Sequence, residues 1–171
     1  MEFVKYKTEW LEIARKQEEV LRLEALSPDD CIRLGLIMVR LAKESYKKSI
    51  SVRIITGEQI TFSHLMEGTS RYNEWWMDKK LNVSRATGMS SFRSLLEIAV
   101  AGRAMEPEFE NEENYALCGG CFPLRTPAGH LLGYVESSGM KHEEDHQLIA
   151  DALSEFMGVA VPTCIESEGE A

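Results

Sequence analysis

The spacing of apolar residues changes period several times along the chain. From Thr8 to Ala25, Trp10, Ile13, Ala14, Leu21 and Ala25 recur at helical spacing, with glutamates and basic residues on the other face. Ser27-Pro28-Asp29-Asp30 then predicts a helix start. The hydroxyl can cap, proline suits the first helical position, and the acids favour the positive helix end. The helix that follows runs to about Lys47. Its segment CIRLGLIMVRLA is apolar on most sides, which places it in the middle of the fold. The period then drops to two: Ile50, Val52 and Ile54 alternate with Ser51 and Arg53, predicting a half-buried strand. Gly57-Glu58 supplies a two-residue turn of the Gly-X kind, and Ile60, Phe62 and His64 continue as the partner strand.

The second half repeats the scheme. Residues 70 to 87 are helical in composition, Gly88 breaks the pattern, and Ser90-Ser91 can cap a further helix ending near Gly102. The acidic stretch from Glu106 to Asn114 reads as an exposed loop. YALCGGCFPLR reads as a strand with a glycine irregularity, Thr126-Pro127-Ala128-Gly129 as a turn, and HLLGYVESS as the returning strand. A last helix runs from about Lys141 to Met157, followed by the polar tail ESEGEA. Clustered helices and tight hairpins imply an α+β fold with an antiparallel sheet. Neither an internal repeat nor a dividing linker interrupts residues 1–171, which read as one domain.

Composition narrows the function. The 171 residues can bury a core without metal or disulfides. A net charge of −9 disfavours non-specific binding to nucleic acid or anionic membrane. Lys47-Lys48 and Lys79-Lys80 are too short to count as basic patches. The N-terminal residues carry charges throughout, with no apolar signal core. The longest apolar run, Leu34 to Leu41, is interrupted at Arg40 and is too short to span a bilayer. The expectation is a soluble, cytoplasmic protein whose four cysteines (Cys31, Cys118, Cys121 and Cys164) are mostly reduced.

The chemistry is concentrated near the C-terminus. His142-Glu143-Glu144-Asp145-His146 spells H-E-x-x-H, in which two histidines four apart share a helix face. A zinc protease also needs a third ligand downstream and the motif within a helix. Here the motif opens its helix, Glu155 lies two turns along the same helix, and Glu166 follows Pro162 in a polar tail. The histidines continue the stripe of Ile149, Leu153 and Phe156, so they face inward. A helix whose acids occupy its first turn, with histidines bonded to nearby backbone, accounts for the same residues. Cys118-Gly119-Gly120-Cys121 adds a CxxC at a strand start, where redox chemistry is disfavoured because it wants a helix N-terminus. If residues 117–125 and 130–138 form a hairpin, Cys118, Cys121, His142 and His146 approach one corner, where a tetrahedral metal site would form. Paired glycines allow a bulge or close backbone approach, to a ligand or a packing partner.

Several of these motifs occur together in a known family. YALCGGCFPLR followed by HLLGYVESSGMKHEEDHQLIADAL, with EGTSRYNEWWMDKKLNVSRATGMSS before them, resembles the GlcG/HbpS-like, or haem-degrading-domain, family over roughly residues 30 to 157. The resemblance implies a profilin-like or PAS-like antiparallel sheet flanked by helices and a homo-oligomer. It also implies binding of haem, iron or another small ligand in some relatives. Haem degradation is not carried over, and cysteines at 118 and 121 depart from the family's usual small residues.

Trp75, Trp76, Lys79 and Lys80 suit an anionic ligand or a subunit interface. Arg85, Ser90 and Arg93 would join a carboxylate site if the loop turns back. The ligand-binding expectation therefore comprises Trp75, Lys79, Lys80, Ser90, Ser91, Gly119, Gly120, His142 and His146. The metal expectation is Cys118, Cys121, His142 and His146, with zinc or iron as the ion and haem as the alternative cofactor. Binding is favoured over catalysis, and no catalytic residue is assigned. The rivals are an interaction scaffold without a small ligand and a metal-dependent enzyme using His142, His146 and Glu143.

Overall fold

Two hairpins join edge to edge to make the sheet. In the computed structural model, which describes residues 6–165, β1 (Ser51–Thr56) pairs antiparallel with β2 (Gln59–Leu65) and with β4 (Leu131–Ser138). β4 pairs in turn with β3 (Cys121–Arg125), giving the order β2-β1-β4-β3. The five α-helices are α1 (Thr8–Val20), α2 (Pro28–Leu41), α3 (Arg71–Thr87), α4 (Ser91–Ala99) and α5 (His142–Met157). This is the α+β architecture that the apolar periods predict. Ser27 caps α2 reciprocally with Asp30.

Strand alternation sorts the side chains between two layers. Val52, Ile54, Phe122, Leu124 and Val135 join Leu34 and Met38 of α2 and Leu148, Ile149 and Leu153 of α5 in the main core. The alternate residues Ile55, Cys121 and Tyr134 cluster with Leu81 of α3. A smaller apolar cluster ties Leu11 and Ala14 of α1 to Phe92, Leu95 and Leu96 of α4 and to Cys164.

Several expectations shift. α1 ends at Val20, not Ala25, because Leu21 and Leu23 turn into the core and the Leu23 N–H donates to the Arg125 carbonyl. That segment covers part of the β3 edge. The central helix reaches Lys47 only by widening into a π-helical turn, Ala42–Tyr46, closed by Lys47 in the left-handed region. The β1–β2 turn has positive φ at both Gly57 (55°) and Glu58 (67°), a mirror-image turn of the I′ kind and not the Gly-X kind. α4 stops at Ala99, and the acidic loop contains a short 3₁₀ turn, Pro107–Glu110, whose Phe109 is buried. β3 begins at Cys121, so Cys118, Gly119 and Gly120 precede the strand. The tail from residue 166, including Glu166, lies outside the described residues.

β1 differs most from expectation. It is buried on both faces, and its charged residue Arg53 is only 7% exposed. Its guanidinium donates to both carboxylate oxygens of Glu136 on β4, at 2.6 and 3.1 Å, and to Asp78 of α3 at 2.7 Å. The layer between sheet and α3 is therefore partly ionic. Burial pushes the Glu136 carboxyl up to about 7 against the pull of Arg53. Arg53→Met leaves the buried Glu136 carboxyl without its partner, to stay charged or take up a proton, which should cost about 3–5 kcal/mol. The double variant Arg53→Met/Glu136→Met should recover most of that loss, and urea denaturation measures both.

Candidate ligand-binding groove

The ionic layer continues past Arg53 to Lys80 in the middle of α3, where it floors a groove. Lys80 is 3% exposed and donates from Nζ to the Ser137 carbonyl at 3.0 Å and to Asp145 Oδ2 at 3.3 Å. Asp145 also accepts from the Ser137 hydroxyl and the Met140 N–H through Oδ1. Burial pushes its carboxyl up to about 6, although Lys80, Ser137 and Met140 all favour the charged form. Gly120 makes this arrangement possible. It has φ +129°, and a Cβ there would stand 2.4 Å from the Ser137 carbonyl oxygen and 2.5 Å from Lys80 Nζ. Gly120→Ala should destabilise the fold by about 2 kcal/mol or more and loosen Lys80. Denaturant midpoints, and amide exchange at the start of α5, check this.

Gly119 has a separate role. Its N–H donates to His142 Nδ1 at 3.2 Å, and an added Cβ would lie 2.1 Å from the His142 carbonyl oxygen. The glycine pair thus lets the segment before β3 lie directly against the first turn of α5 and against Lys80. The groove itself has a volume of about 420 Å³. Tyr72 and Trp76 of α3 form an aromatic wall, while Lys80, Cys118, His142 and Asp145 supply polar groups. Tyr72 stacks on Trp75 with centroids 5.8 Å apart, and Trp75 meets Trp76 edge to face at 5.5 Å. Lys79 lies over both indoles, at 3.9 and 4.2 Å.

The expected site residues therefore divide. Lys80 and His142 line the groove, together with Cys118 from the expected metal set. Trp75 and Lys79 do not line the groove but touch its wall, Trp75 through Tyr72 and Trp76 and Lys79 through Trp76. Ser90 caps α4 by accepting from the Arg93 N–H, and the Ser91 hydroxyl accepts from the Cys121 N–H, so both hold structure together. Arg85 pairs with Glu58, and Arg93 pairs with Glu18 and Glu97. Arg93 and the Ser90 N–H thus converge on one carboxylate, that of Glu18, while Arg85 stands apart. Tyr72, Asn73, Met140 and Asp145 are groove residues that the pattern did not single out. Asp145 looked like one more acid in a helix start. Only the fold places it over Lys80.

The four-residue metal corner does not assemble. Cys121 belongs to the α3 side of the sheet with Ile55, Leu81 and Tyr134. His146 packs against Phe92 and against Phe122, the next residue of β3, on the opposite side. Among the described residues no three His, Cys, Asp or Glu side chains are placed to hold a metal ion. Burial also pushes the Cys118 and Cys121 thiols up.

His146 is a core histidine. Its Nε2 lies 2.7 Å from Gln17 Oε1, and Gln17 in turn donates to Gln147 and to the Pro162 carbonyl. Since that amide oxygen can only accept, Nε2 carries the proton, and Nδ1 is left buried without a partner. Burial, then His142, depress the imidazole to about 3. A folded value below the unfolded 6.5 gives a contribution that is complete above 6.5 and lost as pH falls toward 3. The stability advantage of the wild type over His146→Gln should shrink by about 1.4 kcal/mol per pH unit across that window. Paired urea titrations at several pH values test it.

Residues 26–154 match the family described as haem degrading protein HbpS-like. The chain belongs to that family. A UPF0303 protein of Schizosaccharomyces pombe is 33% identical over 144 residues, covering 83% of this chain and 80% of the relative. Among solved structures, the Ybr137w protein superposes with a TM-score of 0.75 at 22% identity, covering 86% of this chain and 87% of that one. The PduOC:heme complex superposes with a TM-score of 0.63, also at 22% identity, covering 80% of this chain and 98% of that one. At such identities the structural likeness shows the shared fold, and the residues of the groove carry the functional argument. No helix among the described residues is long and apolar enough to cross a membrane.

Proposed function

We propose that this member of the HbpS-like family binds a small molecule with a flat apolar body and an acidic group in the α3–α5 groove, haem being the first candidate. The observation that carries the reading is the aromatic wall of Tyr72 and Trp76 sharing one groove with Lys80 and the first turn of α5. An apolar face with a few convergent polar groups is the usual chemistry of a small-ligand site. The Lys80 ammonium has three N–H donors, of which Ser137 and Asp145 take two. The third can meet a ligand acid.

Haem fits these residues in part. Tyr72 and Trp76 would carry a porphyrin ring and Lys80 a propionate. His142 is not prepared as an iron ligand. Its Nδ1 accepts from the Gly119 N–H, so the neutral ring carries its proton on Nε2, at 3.4 Å from the Tyr6 hydroxyl. Metal-binding histidines have the reverse arrangement, donating from the nitrogen that does not touch the metal. The groove therefore favours holding the ring and its acid group over ligating the iron through His142.

The reading also includes a cytoplasmic homo-oligomer. Ile32 and Leu36 of α2, with Ile60 and Leu65 of β2, are exposed apolar side chains on elements that pack together. A second copy is a natural cover for them. Solution mass tests the assembly.

Hemin titration followed by absorbance and tryptophan quenching tests the ligand. Saturable binding is expected. Tyr72→Ala or Trp76→Leu should weaken it about tenfold, the scale of one lost aromatic contact. His142→Ala should retain most of the affinity. Absence of any saturable change would sink the haem reading and favour an interaction scaffold.

A further inference from the structure

A second cleft opens between α1, the C-terminal end of α3 and β3, away from the aromatic groove. Its volume is about 140 Å³, and its walls include Arg15, Arg22, Arg93 and Arg125 with Glu18 and Glu19. Four guanidiniums around one small space stand out in a chain of net charge −9. They are not equivalent.

Arg15 is held by Glu97 at 2.8 and 2.9 Å and by Glu12 at 2.6 Å. Arg93 is held by Glu18 and Glu97, and Glu18 also accepts from the Ser90 N–H. Glu19 faces Lys16. These groups largely neutralise one another.

Arg22 and Arg125 meet only backbone carbonyls among the described residues. Arg22 donates to the carbonyls of Glu18, Thr126 and Pro127, all at 3.4 Å. Arg125 donates to the carbonyls of Gly129 at 3.2 Å and Gly88 at 3.1 Å. Both guanidiniums are therefore steered to the same β3–β4 turn, and each retains N–H donors beyond those in use. Carbonyl bonds orient a guanidinium without cancelling its charge. Two such planar forks side by side suit an oxyanion with two negative charges, which each can bind bidentately.

We propose that this cleft binds a phosphate-sized dianion, free or as the terminal group of a small phosphomonoester. The anion bridges Arg22 and Arg125, and the carboxylates that also line the cleft are engaged by Arg93 (Glu18) and Lys16 (Glu19). The site is independent of the aromatic groove, and its test does not involve hemin.

The experiment titrates the full chain with inorganic phosphate and, separately, with methyl phosphate, against sodium chloride at matched ionic strength. Calorimetry and the thermal midpoint are the readouts, because a ligand of the native state alone raises the midpoint. Saturable binding of inorganic phosphate is expected. Equal binding of methyl phosphate assigns the site to the end of an ester; its exclusion assigns it to the free ion. Arg22→Gln/Arg125→Gln should lose tenfold or more in affinity, while Lys47→Gln/Lys48→Gln, remote from the cleft, should match the wild type. Arg22→Gln alone gives up only three long carbonyl bonds, so it folds where the double variant does not, and it should weaken binding severalfold. No saturable response to either anion overturns the proposal. So does undiminished affinity in a folded Arg22→Gln or in the folded double variant.

Discussion

A buried ammonium organises the candidate groove. Lys80 comes from the middle of α3, and its partners come from β4 and α5. An ammonium taken out of water costs several kcal/mol unless it is paired and hydrogen-bonded, so this contact constrains everything that supplies it. β4 must present the Ser137 carbonyl, α5 must start where Asp145 reaches Nζ, and the segment before β3 must leave out a side chain at Gly120. Tyr72 and Trp76 lie two turns and one turn earlier on the same helix. Fixing Lys80 thus fixes the aromatic wall relative to the first turn of α5.

The same constraint divides polar roles between the two ends of that turn. Asp145 and Lys80 nearly satisfy each other, leaving one ammonium N–H for the groove. His142 is fixed by the Gly119 backbone, and His146 is fixed by Gln17. The H-E-x-x-H spelling therefore describes a first turn in which the buried acid is Asp145. Glu144 accepts from the Lys141 N–H as an ordinary cap, and Glu143 lies 3.5 Å from His142 Nε2.

How much of this was legible depends on the range of the interaction. Helix starts at Ser27 and Ser90, the two hairpins and the antiparallel sheet rest on local rules of capping and period, and they appear where those rules put them. The inward stripe of α5 and the closeness of the Cys-Gly-Gly-Cys segment to the histidines were also readable, the first from helical spacing and the second from hairpin geometry. What failed was the side of the sheet. Convergence of Cys118, Cys121, His142 and His146 required Cys121 to face α5. Gly120 at φ +129° and the late start of β3 turn Cys121 to the α3 layer and give Phe122 to His146. Period two makes every such shift a change of face. Arg53 misled in a similar way: a charged residue in an alternating strand suggests solvent, and no local pattern shows that Glu136 and Asp78 wait for it.

Those hidden ionic contacts also bear on what the groove can select. Arg53 with Glu136 and Asp78, and Lys80 with Asp145, neutralise the floor from within, so a ligand meets little unspent charge there. Under the proposed reading, discrimination would come from the aromatic wall and from the last ammonium donor, which suit a flat body and one acid group. The two solved structures described above share the fold at 22% identity, and a fold at that distance does not carry iron chemistry with it. In this chain the histidine that would supply it accepts a backbone hydrogen bond on Nδ1. Freeing Nε2 for a metal means moving the proton to Nδ1 and breaking the contact that holds the Gly119 segment against α5. Iron ligation here would work against the packing that builds the groove.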